Sequence, residues 1–460
     1  MNTMRSNRYK RIYRFAASLA ALVMQSIPFA VLWMRYYNDP NRITQTFALR
    51  GNWLVIGIYV VLLFTFGNVY GGFKIGYQKA GSLILSQGIT LFVTDLLMYI
   101  IIDLLARRII VAWPMALLFV LQLLATALLA HLLTHIYDAN FPPRKLLMVY
   151  GEYEEPALRL RQKMNGMAEK YEVTCLLHQS EPYETLCTRI EESQGVVLID
   201  VDTPLRNQIM KYCYVRSIRV YVAPNLTDIL LKSAEALHFF DTPLLLSRNT
   251  GLSIEQKLAK RVMDLVISGL GILVTSPIML AVAAAIKLYD GGPVFFRQAR
   301  ATCGGKVFMI TKFRSMVTDA EKAGYAIPAT ERDPRITPVG RVIRAARIDE
   351  LPQLFDIFRG DMSVVGPRPE RVEHVDKYTE EIPEFAYRLK VKGGLTGYAQ
   401  IYGKYNTTAY DKLKLDLMYI ENYSLLLDIK LILMTVKIMF MKESTEGFTA
   451  EASEKMHDAK

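Results

Sequence analysis

Apolar residues gather into long runs at 15–34, 53–70, 83–105 and 110–137. Each has about the ~20 residues that a helix needs to cross a ~30 Å hydrocarbon core. Residues 1–140 are therefore expected to form a four-helix transmembrane region. From 145 to 250 the pattern changes. Short apolar runs at 146–150, 173–177, 196–199 and 218–223 alternate with amphipathic stretches at 156–170, 183–193 and 205–212. Strand-length runs separated by helix-length ones predict a parallel sheet covered by helices, an α/β Rossmann-like domain. A fifth long apolar stretch follows at 262–288, with Ser276-Pro277 near its middle. Proline lacks the N–H that an interior helical position needs and clashes with the preceding turn, so a break or bend is expected there. The remainder, to 442, mixes short apolar runs with dense charge and reads as an α-rich domain. Residues 443–460 read as a disordered tail.

Charge sets the orientation. The chain is 52% hydrophobic, too apolar for an ordinary soluble enzyme, and carries a formal net charge of +11. Arg5, Arg8, Lys10, Arg11 and Arg14 precede the first run, which favours a cytoplasmic N-terminus and an uncleaved anchor. An even number of spans then returns the chain to the cytoplasm. Lys257, Lys260 and Arg261 stand before 262–288 and Lys287 near its end, so this stretch is expected to re-enter rather than cross. A basic chain could also bind nucleic acid, but no basic helix or zinc-finger spacing occurs, and anionic headgroups and phosphorylated substrates fit better. Cys175, Cys187, Cys213 and Cys303 form no CxxC pair, so they suggest neither a zinc site nor a disulfide framework. Asp95 and Asp103 in the third run are expected to face neighbouring helices or an interface, ahead of a proton or ion pathway. The middle domain lacks a glycine fingerprint: Gly151-Glu152-Tyr153-Glu154-Glu155 follows its first strand, and three carboxylates there would repel a pyrophosphate. The sequence leaves open whether this domain meets a second copy, a homo-oligomer, or polysaccharide assembly proteins. At 410–441, Asp416, Glu421, Asp428, Lys430 and Lys437 interrupt an apolar pattern, which predicts helices lying in the membrane interface.

The densest signals lie late in the chain. Gly292-Pro293-Val294-Phe295-Phe296-Arg297-Gln298 leads to Gly304-Gly305-Lys306, then Thr311-Lys312-Phe313-Arg314-Ser315-Met316 and Asp333-Pro334-Arg335-Ile336-Thr337. Arg347-Ile348-Asp349-Glu350-Leu351-Pro352-Gln353, Gly360-Asp361-Met362-Ser363-Val364-Val365-Gly366-Pro367-Arg368-Pro369 and Gly394-Leu395-Thr396-Gly397-Tyr398-Ala399-Gln400 complete the series. Over 255–442 these runs resemble the bacterial sugar transferase family, the polyprenyl-phosphate hexose-1-phosphate transferases with a monotopic-type phosphoglycosyl transferase domain. Four preceding spans and a degenerate α/β domain are similar to its long form. The resemblance implies a re-entrant helix broken at Ser276-Pro277, Mg²⁺, and a covalent mechanism on Asp349-Glu350. It implies a UDP-sugar donor, a polyprenyl (undecaprenyl) phosphate acceptor, and a place in the bacterial inner membrane with the catalytic domain cytoplasmic. Its members start exopolysaccharide, capsule or O-antigen units. Three departures stand out. Thr302 occupies a position usually glycine, Ala346-Arg347-Ile348 one often Thr-Ser-Leu, and Gly393 one commonly proline.

The residues support that chemistry independently. Phosphoryl transfer needs a nucleophile and cations around the phosphoryl oxygens. Asp349 is the expected nucleophile, dividing one transfer into two. Glu350 is expected to hold Mg²⁺ with Asp349, to position it, or to assist the acceptor, since Mg²⁺ favours one or two carboxylates plus phosphate oxygens. Lys312, Arg314, Arg344, Arg347 and Arg368 are the candidate phosphate contacts, with some expected to be fold-internal ion pairs. Asp333-Pro334 reads as a turn rather than a metal site. A non-catalytic membrane scaffold is the rival reading; it would tolerate loss of the carboxylates.

Overall fold

Each apolar run coincides with a long helix to within a few residues at its ends, save that the first helix begins well before its run. In the computed structural model, which describes residues 2–43, 46–247, 251–318, 333–403 and 407–439 (side chains from residue 9), these are α1 (Asn2–Leu32), α2 (Leu49–Tyr70), α3 (Ala80–Ala106) and α4 (Trp113–Asn140). A π-helical turn, Trp33–Tyr37, ends α1. Side-chain hydrogen bonds tie the four helices together: Gln25 to Thr126 Oγ1 (3.1 Å), Gln122 to the Gln25 carbonyl (2.6 Å) and to the Tyr59 hydroxyl (2.8 Å), and Tyr59 to Asp95 (2.9 Å). Asp95 thus faces its neighbours inside the bundle, and Asp103 accepts from the Ile110 N–H at 2.8 Å. The outward faces are apolar, as a lipid solvent requires.

The chain next forms β1 (Arg144–Tyr150), α5 (Glu154–Asn165), β2 (Tyr171–His178), α6 (Tyr183–Glu192), β3 (Gly195–Ile199), α7 (Thr203–Val215) and β4 (Arg219–Val222). The strands pair in parallel in the order β2-β1-β3-β4. Alternate residues feed opposite faces. Leu147, Val149, Val196 and Leu198 pack with Leu186, Ile190, Ile209 and Cys213, whereas Leu146, Met148, Val197 and Ile199 pack with Ala157. Burial on both faces explains the continuous apolar runs of this sheet.

The chain divides into two compact units, Met1–Pro224 and Asn225–Lys460. The boundary precedes the expected one at 250 because α8 (Leu226–Lys232) sends Ile229 into the core of the second unit, while Ser233 bonds Glu421 at 3.1 Å. The hairpin β5–β6 (Glu235–Phe239, Thr242–Leu246) follows. Then α9 runs from Ile254 to Asp290, opened by a Ser253–Gln256 capping box and closed by Gly291 at φ +70°. It is the fifth helix among the described residues long and apolar enough to cross a membrane, and only 11% of its most apolar window is buried. The break expected at Ser276-Pro277 is not found: the helix is continuous through Pro277, whose missing N–H leaves the Leu273 carbonyl without its helical donor. Ser276 Oγ donates to that carbonyl at 2.9 Å.

Beyond α9 lie the antiparallel pair β7 (Phe295–Ala301) and β8 (Val307–Phe313), α10 (Pro338–Ala345), a 3₁₀ turn (Ile348–Glu350) and α11 (Gln353–Arg359). The strands β9 (Ser363–Val365) and β10 (Gly394–Thr396) flank α12 (Val372–Glu381) and the 3₁₀ stretch Pro383–Lys390. Three helices finish the described chain: α13 (Tyr398–Tyr402), α14 (Ala409–Glu421) and α15 (Leu425–Met439). One face of α14 and of α15 packs into the protein. Leu413, Leu417, Tyr419 and Leu431 join the core, Asp416 is ion-paired with Arg388 (2.8 Å), and Asp428 with Lys260 (2.6 Å). These two carboxylates interrupt the apolar pattern because each is buried in a pair, whereas Lys430 is exposed. The expected tail, 443–460, lies outside the described residues.

Candidate active site

Two sequence motifs are held side by side by backbone. The strands β9 and β10 pair in parallel, and the link continues as Gly366 N–H donates to the Thr396 carbonyl (2.8 Å) and Gly394 N–H to that of Pro367 (2.8 Å). A Cβ on Gly397 would stand 2.1 Å from the Gly366 carbonyl oxygen. Only glycine allows this approach, which fixes the loop carrying Arg368.

A second support comes from β8. Successive residues of a strand face opposite ways. Thr311 turns to the fully buried Asp356 on α11, through its N–H (2.8 Å) and hydroxyl (3.0 Å). Lys312 turns to Glu350, Nζ to Oε1 at 2.7 Å. Arg368 reaches the same oxygen at 2.9 Å. Between α10 and the 3₁₀ turn, Arg347 takes φ +54°. This left-handed residue reverses the chain and presents Asp349 and Glu350 together.

The two carboxylates sit in different electrostatic settings. Burial pushes Glu350 up, but the charges of Arg368 and Lys312 and their hydrogen bonds more than offset it, holding Glu350 well below the usual range. For Asp349 burial prevails. Its carboxyl lies above its ordinary value although Lys312, Arg344 and Arg368 act against the shift and only Glu350 adds to it. No described residue hydrogen-bonds the Asp349 carboxylate, nor Glu350 Oε2. Burial also lowers Lys312, against the pull of Glu350.

Of the expected phosphate contacts, Lys312, Arg344 and Arg368 surround the dyad. Arg344 makes no ion pair among the described residues, and Arg368 is 43% exposed despite its bond to Glu350. Arg347 is placed by the turn. Arg314 is a correction. Its guanidinium is 7% exposed, binds both oxygens of Asp290 and donates to the Pro293 carbonyl at 2.7 Å. It closes the end of α9 and has no face left for a substrate. The basic flanks of α9 are likewise largely engaged. Lys260 pairs with Asp428, Arg261 donates to the carbonyls of Ile357 and Phe358, and Lys287 to that of Gly291. Asp333 is a turn residue, accepting from Arg335 N–H and guanidinium.

Residues 255–442, which contain this whole arrangement, match the bacterial sugar transferase family model. An uncharacterized sugar transferase, EpsL of Bacillus subtilis, is 40% identical over 195 residues, 42% of this chain and 94% of its own length. The UDP-glucose:undecaprenyl-phosphate glucose-1-phosphate transferase of Caulobacter vibrioides is 44% identical over 185 residues, 39% of this chain and 68% of that protein. This chain belongs to the bacterial sugar transferases. The UDP-N-acetylgalactosamine-undecaprenyl-phosphate N-acetylgalactosaminephosphotransferase of Aeromonas hydrophila is 45% identical over 181 residues, and the match spans 39% of this chain but only 43% of that relative.

Against the usual pattern of bacterial sugar transferases, two departures meet. The Gly393 N–H donates to Thr302 Oγ1 at 3.1 Å. A proline at 393 would have no such N–H, and a glycine at 302 no hydroxyl, so the two changes compensate each other. Three supporting residues escaped the sequence reading. Asp356 pins β8 to α11. Arg388, 2% exposed, holds the Arg368 carbonyl at 2.9 Å, and Asp264 accepts from Ser363 Oγ and Val364 N–H. Each is a charge amid apolar neighbours, and for Asp356 within Leu354–Phe358 that isolation was the available signal.

Proposed function

We propose that this chain transfers a sugar-1-phosphate from a UDP-sugar to polyprenyl (undecaprenyl) phosphate, releasing UMP, and so starts exopolysaccharide, capsule or O-antigen repeat units. The observation that carries the mechanism is the asymmetry of the dyad. Glu350 is clamped by Lys312 and Arg368, whereas Asp349 has no hydrogen bond among the described residues. A poorly solvated carboxylate without hydrogen bonds is the better nucleophile. In the first step an Asp349 oxygen bonds to the phosphorus next to the sugar, and the bond from that phosphorus to the bridging oxygen breaks, so UMP leaves with the electron pair. In the second step the lipid phosphate oxygen attacks the same phosphorus and Asp349 is released. The sugar–oxygen bond survives both steps, so the anomeric configuration is retained. Lys312, Arg344 and Arg368 offset charge on the phosphoryl oxygens. Glu350 keeps two of these cations in place.

The donor set suits Mg²⁺. Glu350 Oε2 and the Asp349 carboxylate are hard oxygens without hydrogen bonds among the described residues, and no group of three or more acidic, His or Cys ligands occurs there. Asp349 and Glu350 would therefore hold the ion together with substrate phosphate oxygens, where it would neutralise developing charge.

The topology follows the same reading: α9 enters and leaves on the cytoplasmic face. Its N-terminal half bonds Asp428 and β9 through Lys260 and Asp264, and its end bonds Arg314 through Asp290. Between them Met279 and Ile286 pack with Phe313 and Ile343. Contacts of both parts of α9 with one compact unit support a helix that returns to the side it entered. Membranes supplied with undecaprenyl phosphate and a panel of UDP-sugars should release UMP with one of them, and the Asp349→Asn protein should release none. Wild-type turnover by that variant would end the covalent mechanism, and a phosphosugar trapped on another residue would reassign it.

A further inference from the structure

The first unit contains a cleft of about 450 Å³ remote in sequence from the dyad, lined by one face of α1, the end of α2 and the turn before α3. From α1 come Arg11, Arg14, Phe15, Ser18, Leu19 and Leu22. Their spacing at three and four residues places them on one helix stripe, roughly 16 Å long at 1.5 Å per residue. Opposite stand Phe64, Asn68, Phe73, Lys74 and Tyr77. The lining is graded. Arg11, Arg14 and Lys74 crowd one end, no carboxylate lines any part, and Phe15, Leu19, Leu22 and Phe64 form the other end.

The cations are not consumed by the fold. Arg11 and Lys74 have no ion pair among the described residues. Arg14 lies over the Tyr77 ring at 4.5 Å and donates only to the Lys10 carbonyl of its own helix. More positive charge lies close by. Lys170 is held below its ordinary value first by burial, then by Arg144, Arg14 and Lys74. The apolar end lies open at the surface of the unit, with Phe15, Leu19 and Phe64 73%, 49% and 54% exposed.

We infer that this cleft binds an anionic phospholipid, its headgroup phosphate on Arg11, Arg14 and Lys74 and one acyl chain along Phe15, Leu19, Leu22 and Phe64. Charge at one end and apolar wall at the other is the complement of a lipid phosphate. The open flank lets a second chain remain in the bilayer, which favours a two-chain lipid over the single-chain polyprenyl phosphate. The full-length protein in detergent is titrated with phosphatidylglycerol, phosphatidylcholine of the same chains, or undecaprenyl phosphate, and bound lipid is read by native mass spectrometry. Phosphatidylglycerol should be retained in preference to the other two. At about 5-fold per basic residue, Arg11→Gln/Lys74→Gln should weaken it roughly 25-fold and leave phosphatidylcholine adducts unchanged, which also reports an intact fold. Leu22→Trp, which fills the apolar end but keeps every cation, should weaken phosphatidylglycerol as well. Equal retention of the two phospholipids, indifference to either variant, or tighter binding of undecaprenyl phosphate would overturn the inference.

Discussion

Replacing Glu370 by glutamine should cost stability in a way that depends on pH. Glu370 follows the Arg368 loop, is 12% exposed, and accepts from Lys412 at 2.7 Å with Arg388 at 3.7 Å. Burial pushes its carboxyl up, but Lys412 and Arg388 bring it from an ordinary 4.5 down to about 2. At about 1.36 kcal/mol per tenfold change, that gap corresponds to about 3 kcal/mol. Because the folded value is the lower one, the folded form binds its proton more weakly than the unfolded chain. The stabilisation is complete above pH 4.5, falls as the pH drops through that value, and is gone below about 2. Glutamine keeps the acceptor oxygen and removes the charge. Thermal unfolding of the full-length protein in detergent should place Glu370→Gln roughly 6–12 °C below wild type at pH 7, and about 2–4 °C below at pH 3. A gap that stays constant or widens as the solution is acidified would refute the reasoning.

Arg314→Met should lower the melting temperature, because Asp290 and the Pro293 carbonyl lose their partner, while the folded fraction keeps its KM for the UDP-sugar; a raised KM at unchanged melting temperature would return Arg314 to the substrate. Gly397→Ala should abolish activity and lower the melting temperature, because its Cβ meets the Gly366 carbonyl; wild-type turnover would show that the Arg368 loop has slack. Single cysteines at Lys257 and Tyr289, in a background lacking Cys175, Cys187, Cys213 and Cys303, should both resist an impermeant thiol reagent in intact cells and both react once the membrane is opened. Labelling at 289 alone would establish a fifth crossing.

Much of this architecture was legible from periodicity. The strands β1 to β4 fall where the short apolar runs predict, most clearly the central β1 and β3, where burial on both faces leaves no polar position in the run. The long helices follow from run length. The dyad and its cations stood out because the motif runs around Asp349-Glu350 resemble those of the bacterial sugar transferases and gather carboxylates and cations suited to phosphoryl transfer. Three things were not legible. Arg314 looks in sequence like Lys312, and only the closure at Asp290 separates a structural guanidinium from one near the dyad. Asp416 on α14 and Asp428 on α15 have partners far away in the chain, which no local pattern can supply. The Thr302–Gly393 bond joins two positions that separately look like losses.

The bond between Lys260 and Asp428 also sets an order of events during biosynthesis. The two residues are 168 positions apart, so at 5–20 residues per second α9 is made roughly 10–30 s before its lysine has a counter-ion. Through that interval the nascent helix lacks the Asp428 partner of its ammonium, and for the first part of it Asp264 has no β9 to accept from. It is poorly suited to release into lipid on its own. Its seating at the membrane is thus expected to be a late event, timed by the emergence of α15 rather than by its own hydrophobicity.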